Sequence, residues 1–306
     1  MNERQFLDAL RTLPLHPGAR GLRDDVAVVG GFVLTTDTLV EGVHFLGTDP
    51  AADVAWKLVA VNLSDLAAKG AAVEGVMLNV PLSADGWDRG FLNGLRGVLA
   101  AFAVPLIGGD TVSLPAGAAR VLSCTAIGRD APAPSRTGAR AGDALWVTGT
   151  IGDAGAGLAI AQGADGSDTL LAAYRRPQPR LAAGRVIAPH VHAMADVSDG
   201  LLIDAARIAA ASGLAVTVDL DAVPLSAAYV DWRGGDREDR LAAASAGDDY
   251  ELLFAAGPDW TPPPLPDALP VTRIGTLAAG AGLTLRHRGV AIDLPGRLGW
   301  EHGATV

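Results

Sequence analysis

The chain has 306 residues, 49% hydrophobic and 19% charged, enough for two ordinary domains with ample cores. Its net charge of −10 and pI near 5.0 exclude the basic surface that nucleic acid or an anionic membrane requires. No apolar stretch reaches the ~18–20 residues of a membrane span, the N-terminus lacks a secretory core, and the lone Cys124 can form no intrachain disulfide, so a cytoplasmic protein is expected.

The pattern over residues 3–13 predicts a helix. Two β-prone runs follow, Val26–Val29 and Phe32–Leu34, joined by Gly30-Gly31 as a hairpin. The second run empties into Thr35-Thr36-Asp37 and, further on, His44. Short polar side chains at the end of an apolar strand suit a ligand at a sheet edge, or merely a solvated turn. Antiparallel pairing would set the preceding dyad, Asp24-Asp25, beside Asp37.

Asp53 to Lys69 reads as a helix capped by Asp53 and closed by Gly70. Its apolar residues fall on two stripes, so it is expected to be largely buried. Asp65 lies on one of them, where an ionised carboxylate needs a cation or several donors. A second amphipathic helix covers 85–103. The short strand Val104–Ile107 then ends in Gly108-Gly109-Asp110-Thr111, whose glycines allow close backbone approach to a ligand. After a β run over 120–128, the proline-rich stretch Asp130–Asp143, containing Arg136, marks the expected boundary between a domain of residues 1–137 and one of 138–306.

The strand Ala144–Thr148 leads into Gly149, Gly152, Gly155 and Gly157 and a helix at 158–162, an arrangement that cradles an anion or simply packs tightly. Asp196 ends a later strand, and Ser198 and Asp199 open the helix from Leu201 to about Ser212. Gly247-Asp248-Asp249 enters the run Tyr250–Phe254. A proline-rich loop at 258–270 and a β-rich tail follow, ending Gly299-Trp300-Glu301-His302.

Asp24, Asp25, Asp37, Asp65, Asp110, Asp196 and Asp199 thus gather at element ends or on a buried face, with no zinc-type Cys/His spacing. Hard oxygen ligands of this kind suit Mg²⁺, and so many negative charges assemble only around cations. Lys57 and Lys69 are the only lysines, and neither stands in a P-loop. The residues alone therefore imply a P-loop-free, Mg²⁺-dependent enzyme acting on nucleotide phosphates.

In order along the chain, Asp24-Asp25-Val26-Ala27-Val28-Val29, Thr35 to Phe45, Ala60 to Ala71 and Ile107-Gly108-Gly109-Asp110-Thr111 resemble the N-terminal half of the thiamine-monophosphate kinase family. Ser135 to Asp143, Asp196-Val197-Ser198-Asp199-Gly200-Leu201 and Ala246 to Phe254 resemble its C-terminal half. The resemblance places the chain in the superfamily of aminoimidazole ribonucleotide synthetase and selenophosphate synthetase. It implies a two-domain α/β (α+β type) fold that dimerises through N-terminal sheets forming a shared barrel. It also implies transfer of the γ-phosphoryl of ATP to thiamine monophosphate. By motif position, Asp24, Thr35, Thr36, Asp37, Asp65, Asp110, Asp196 and Asp199 would hold several Mg²⁺ ions. Gly109, Asp110, Arg136 and Ser198 would contact ATP; His44, Asp248 and Trp300 would contact the acceptor. Asp37, Asp65, Asp110, Arg136 and Asp199 would carry the chemistry. The chain departs from the family pattern at Arg23, usually Gly, at Asp248, usually Glu, and at Gly303, usually aromatic. The alternatives are another ATP-dependent synthetase of the superfamily and a non-catalytic nucleotide- or metal-binding relative.

Overall fold

The computed structural model describes residues 3–115 and 117–301; His302 and Gly303 lie outside them. After helix α1 (Glu3–Leu10), the first half builds strands β1 (Ala27–Val29) and β2 (Phe32–Val40), helix α2 (Ala51–Ala67), strand β3 (Ala72–Leu82), helix α3 (Asp85–Ala101), and strands β4 (Leu106–Ser113) and β5 (Val121–Arg129). The five strands form one sheet in the order β1-β2-β5-β3-β4. β1 and β2 are the expected hairpin, while β3 and β4 are parallel across α3. Helix α2 packs on this sheet through Val54, Leu58, Val59, Leu63 and Leu66. The far face stays open and exposes Met77, and edge strand β4 exposes Leu106, Ile107 and Val112.

The second half contains strand β6 (Ala144–Thr148), helices α4 (Asp153–Ala161), α5 (Asp168–Arg175) and α6 (Leu181–Ile187), strand β7 (Ala193–Asp196), helix α7 (Leu201–Ala211) and strand β8 (Leu214–Asp219). Helices α8 (Ala227–Trp232) and α9 (Arg237–Ser245) precede strands β9 (Leu252–Ala256), β10 (Val271–Ala279), β11 (Gly282–His287) and β12 (Val290–Ile292). Its seven-stranded sheet runs β12-β11-β8-β10-β6-β9-β7 and has its own apolar core around Leu145, Leu202, Ile208 and Leu253.

Helix α2 belongs to both halves. Its last turn, Ala67 and Ala68, joins an apolar cluster with Ile187, Met194, Leu252 and Phe254, which explains why two stripes are buried. The helix closes as expected: Gly70 takes φ +64°, Gly70 N donates to Ala67 O and Ala71 N to Leu66 O. Its start differs from expectation. Pro50 occupies the N-cap, and Asp53, one turn inside, pairs with Arg176 at 2.5 Å. Two strands also run longer than their apolar stretches. β2 continues through Thr35-Thr36-Asp37 to Val40, because its backbone stays paired with β5 as far as Val121. β4 likewise carries Gly108-Gly109-Asp110 within the strand, held by β3.

Candidate active site

A cavity of about 920 Å³ opens between the two halves. β2 contributes Thr36 and Asp37 and α2 contributes Asp65. The turn after β2 contributes His44, and the segment before β1 contributes Asp25. From the second half come Asp196 at the end of β7, Ser198, Asp199, Asp248, Tyr250 and Trp300. The topology explains the opening: β1 covers only Phe32–Leu34 of β2, so the Thr35–Val40 edge has no strand beside it.

Asp25, Asp65 and Asp196 each offer an oxygen, and these oxygens lie within 4.8 Å of one another. Asp65 accepts from the Thr35 hydroxyl, and Asp196 accepts from Ser64 Oγ at 2.5 Å. Asp25 Oδ2 is buried without a hydrogen-bond partner. Burial, then the neighbouring Asp37 and Asp196, push Asp65 well above the usual carboxylate range. Burial and then Asp25 push Asp196 up to about 8, and the same two causes push Asp37 up to about 6. Carboxylates this close, one with an orphaned oxygen, ionise together only with a cation between them. The all-oxygen set fits a hard divalent ion.

Around this group the chain supplies fixed support. Asn62 Oδ1 accepts from the Asp37 N–H at 3.1 Å, pinning β2 to α2. Arg136 pairs with Asp25, and its buried Nε has no partner. Burial works against the Arg136 charge, but Asp25 and then Asp204 hold it protonated. Arg207 pairs with Asp199 and, at 2.9 Å, with Asp204. Asp204 in turn accepts from the Ser198 and Asp199 N–H groups at 3.2 and 3.1 Å.

Elsewhere in the cavity lining, His44 Nδ1 accepts from the Val40 N–H at 3.0 Å. Trp300 is held at the cavity by its backbone N–H, which donates to the Asp199 carbonyl at 2.9 Å. Asp248 Oδ1 accepts from the Tyr250 hydroxyl at 3.1 Å, and Oδ2 lies 2.7 Å from Lys57 Nζ.

The structure thus brings Thr36, Asp37, His44, Asp65, Asp196, Ser198, Asp199, Asp248 and Trp300 to one cavity, with Thr35 directly behind Asp65 and Arg136 behind Asp25. Thr35 and Asp37 share the α2 side of β2, while Thr36 bonds across to Thr125 at 3.1 Å, as strand alternation demands. Asp24 does not join the carboxylates. It pairs with Lys69 and Arg20, both at 2.6 Å, which hold it below the usual carboxylate range although burial opposes its charge. The two residues of the dyad lie in a bend before β1, where the cations claim Asp24 and only Asp25 faces Asp65 and Asp196. Arg23 is exposed and does not line the cavity. Gly109 and Asp110 sit on β4, three strands from β2, or roughly 14 Å at the usual strand spacing. The glycine-rich turn is no anion cradle. Asp249 accepts from Gly152 N at 2.8 Å and Ala154 N at 3.3 Å, and already fills the start of α4. Sequence reasoning missed Lys57, Asn62, Ser64 and Lys69. Asn62 and Ser64 carried a signal as polar residues on apolar stripes of α2, whereas Lys57 and Lys69, the latter just past its end, carried none; all four are fully or almost fully buried.

Family profiles match both halves: the N-terminal domain of AIR synthase related protein over residues 23–129, and its C-terminal domain over 140–287. A thiamine-monophosphate kinase of Caulobacter vibrioides is 40% identical, over 94% of this chain and 86% of its own. The crystal structure of thiamine-monophosphate kinase from Stenotrophomonas maltophilia superposes with a TM-score of 0.74 at 36% identity, covering 94% of this chain and 96% of that one. AaThiL complexed with AMPPCP and TMP superposes with a TM-score of 0.82 at 28% identity, covering 98% and 97%. With both domain profiles matched and relatives this similar along nearly the whole length, the chain belongs to the thiamine-monophosphate kinase family.

Proposed function

We propose that this protein transfers the γ-phosphoryl group of ATP to the phosphate of thiamine monophosphate, forming thiamine diphosphate and ADP. The observation that carries the reading is the single cavity that gathers buried carboxylates, with Arg136 behind Asp25, together with His44, Asp248 and Trp300. AaThiL, a relative of the same fold, is complexed with an ATP analogue and TMP together.

The acceptor is itself an ionised phosphate, so the site needs no strong base and no enzyme nucleophile; positioning and charge neutralisation supply the catalysis. We assign the metal positions to Asp25, Asp37, Asp65, Asp196 and Asp199, with Thr35; the hydroxyl of Thr36, the other threonine expected there, is engaged on the opposite face by Thr125 and the Cys124 carbonyl. Asp25 takes the place expected of Asp24, because both Asp24 oxygens are engaged by cations. Mg²⁺ bound there neutralises polyphosphate charge. Ser64, Thr35 and Asn62 hold the carboxylates and the β2 backbone in place, so no side chain reorganises during transfer. The unpartnered Nε of Arg136 is a donor for a phosphoryl oxygen. Ser198 serves the nucleotide side. His44 serves the acceptor phosphate, and Trp300 offers its ring to the thiazolium cation.

Gly109 and Asp110 enter this scheme through a second copy of the chain. Within one copy they are remote from Asp37, whereas β4 is an exposed edge with Leu106, Ile107 and Val112 uncovered. A homodimer joined through the N-terminal sheets covers that edge. We place the domain boundary at residues 137 and 138, inside the segment linking the two sheets. We also propose a cytoplasmic location, where ATP is available. Among the described residues no helix is long and apolar enough to cross a membrane.

An ADP-release assay with ATP, Mg²⁺ and a panel of acceptors tests the function. Thiamine monophosphate is expected to turn over and unphosphorylated thiamine is not. Protein that binds ATP yet leaves thiamine monophosphate untouched would overturn the reading.

A further inference from the structure

Lys57 stands mid-helix in α2 with its side chain only 3% exposed, and the scheme above gives it no role. Its Nζ has three partners from three parts of the chain. It donates to the His44 carbonyl at 3.0 Å and pairs with Asp248 Oδ2 at 2.7 Å. It also lies 4.1 Å from the centre of the Tyr174 ring on α5. Tyr174 is itself fixed, its hydroxyl donating to Asp49 Oδ2 at 2.9 Å, and the same oxygen accepts from Leu46 N at 2.8 Å. One buried ammonium therefore ties the turn carrying His44 to Asp248, across the junction of the two halves. Asp248 is 31% exposed and lines the cavity, so the cation is hidden while the acceptor group it holds is open.

This arrangement decides what Asp248 can recognise. A bare carboxylate would attract the thiazolium charge wherever it lay. Paired with Lys57, and with Oδ1 oriented by Tyr250, Asp248 is neutral as a unit and offers directed lone pairs instead. The ring of thiamine monophosphate that answers such an acceptor is the aminopyrimidine, through its amino N–H.

Resting on the function proposed above, we propose that Lys57 is the positioning residue of the acceptor end. It locks Asp248 and the His44 turn into one pocket that selects for an aminopyrimidine by hydrogen bonding.

The test measures KM separately for thiamine monophosphate and ATP in wild type, Lys57→Met, Asp248→Asn and the double variant. Thiazole phosphate lacking the pyrimidine serves as a second acceptor, and thermal melting monitors the fold. Lys57→Met is expected to raise KM for thiamine monophosphate about tenfold or more and to leave KM for ATP within about twofold. The double variant is expected to be less impaired than the two single effects combined, because Lys57 acts in part through Asp248. Turnover of the thiazole phosphate, which draws on the His44 turn but not on Asp248, is expected to fall less than that of thiamine monophosphate, which a general loss of structure would not allow. Equal KM values for thiamine monophosphate in wild type and folded Lys57→Met overturn the inference, as do additive effects. If Lys57→Met does not melt cooperatively, the cavity-facing Asp248→Asn decides, and an unchanged KM for thiamine monophosphate overturns it. Wild type that turns over no thiamine monophosphate overturns the proposed function and this inference with it.

Discussion

Asp65 carries the sharpest conflict between stability and use. It shares a buried space with Asp25 and Asp196, and without a cation each proton lost there costs free energy. Asp65→Asn keeps the shape and the Thr35 contact but removes one repelling charge. Turnover is expected to fall by about 100-fold or more, while the metal-free protein melts a few degrees higher, an exchange of stability for function. Steady-state kinetics and a melting curve in chelator check both halves of that statement. The pH dependence has a definite sign. Asp37 and Asp196 are raised to about 6 and about 8 from an ordinary value of 3.8, so between these values the folded protein keeps protons that the unfolded chain releases. Their stabilising contribution is complete below about pH 4 and is lost as pH rises through those folded values. The metal-free protein is therefore expected to melt lower at about pH 8 than at about pH 5.5, with Mg²⁺ restoring more at the higher pH. A Mg²⁺ effect of the same size at both pH values would remove these carboxylates from the metal site.

At the scale of elements, the contact between α2 and α6 sets how the halves meet. Gly184 lies against the Ala67 carbonyl so closely that a Cβ there would overlap it. Gly184→Ala gains up to about 1 kcal/mol of helix propensity but incurs an overpacking cost of about 1–3 kcal/mol. The expected outcome is a lower melting temperature with reduced turnover; a higher one would show that the halves dock loosely. Much of this framework was legible in the sequence. The hairpin follows from Gly30-Gly31, and α2 from its apolar stripes and Gly70. Asp65 follows from a charge placed where only a compensated charge survives. Other parts were out of reach. The extents of β2 and β4 depend on ladder partners up to about ninety residues away, so polar residues inside them read as strand ends. That Asp25 rather than Asp24 faces Asp65 and Asp196 turns on Lys69 and Arg20 claiming the other carboxylate. The glycine-rich turn looked like an anion cradle because Asp249, which fills it, is remote in sequence. A lysine in an apolar helix ordinarily snorkels to water, so Lys57 and Lys69 gave no hint of their buried partners.

For the whole molecule, the uncovered edge at β4 invites another strand, and exposed edges of this kind seldom persist in solution. Ile107→Glu puts a charge into that edge. In the homodimer proposed above, sedimentation is expected to shift from dimer to monomer, with turnover falling as the Asp110 proposed to come from the second copy departs; a dimer that survives the change locates the interface elsewhere. Helix α2, buried against both sheets, has one more consequence. Lys57 and Asp65 lie eight residues apart on it, about 12 Å at 1.5 Å per residue. In the proposed function, the pocket for the ring and the carboxylates for the phosphate are thus graduations on a single rigid ruler. A molecule is then expected to be accepted by its length as well as its chemistry, and one that is too short is expected to reach one mark or the other but not both.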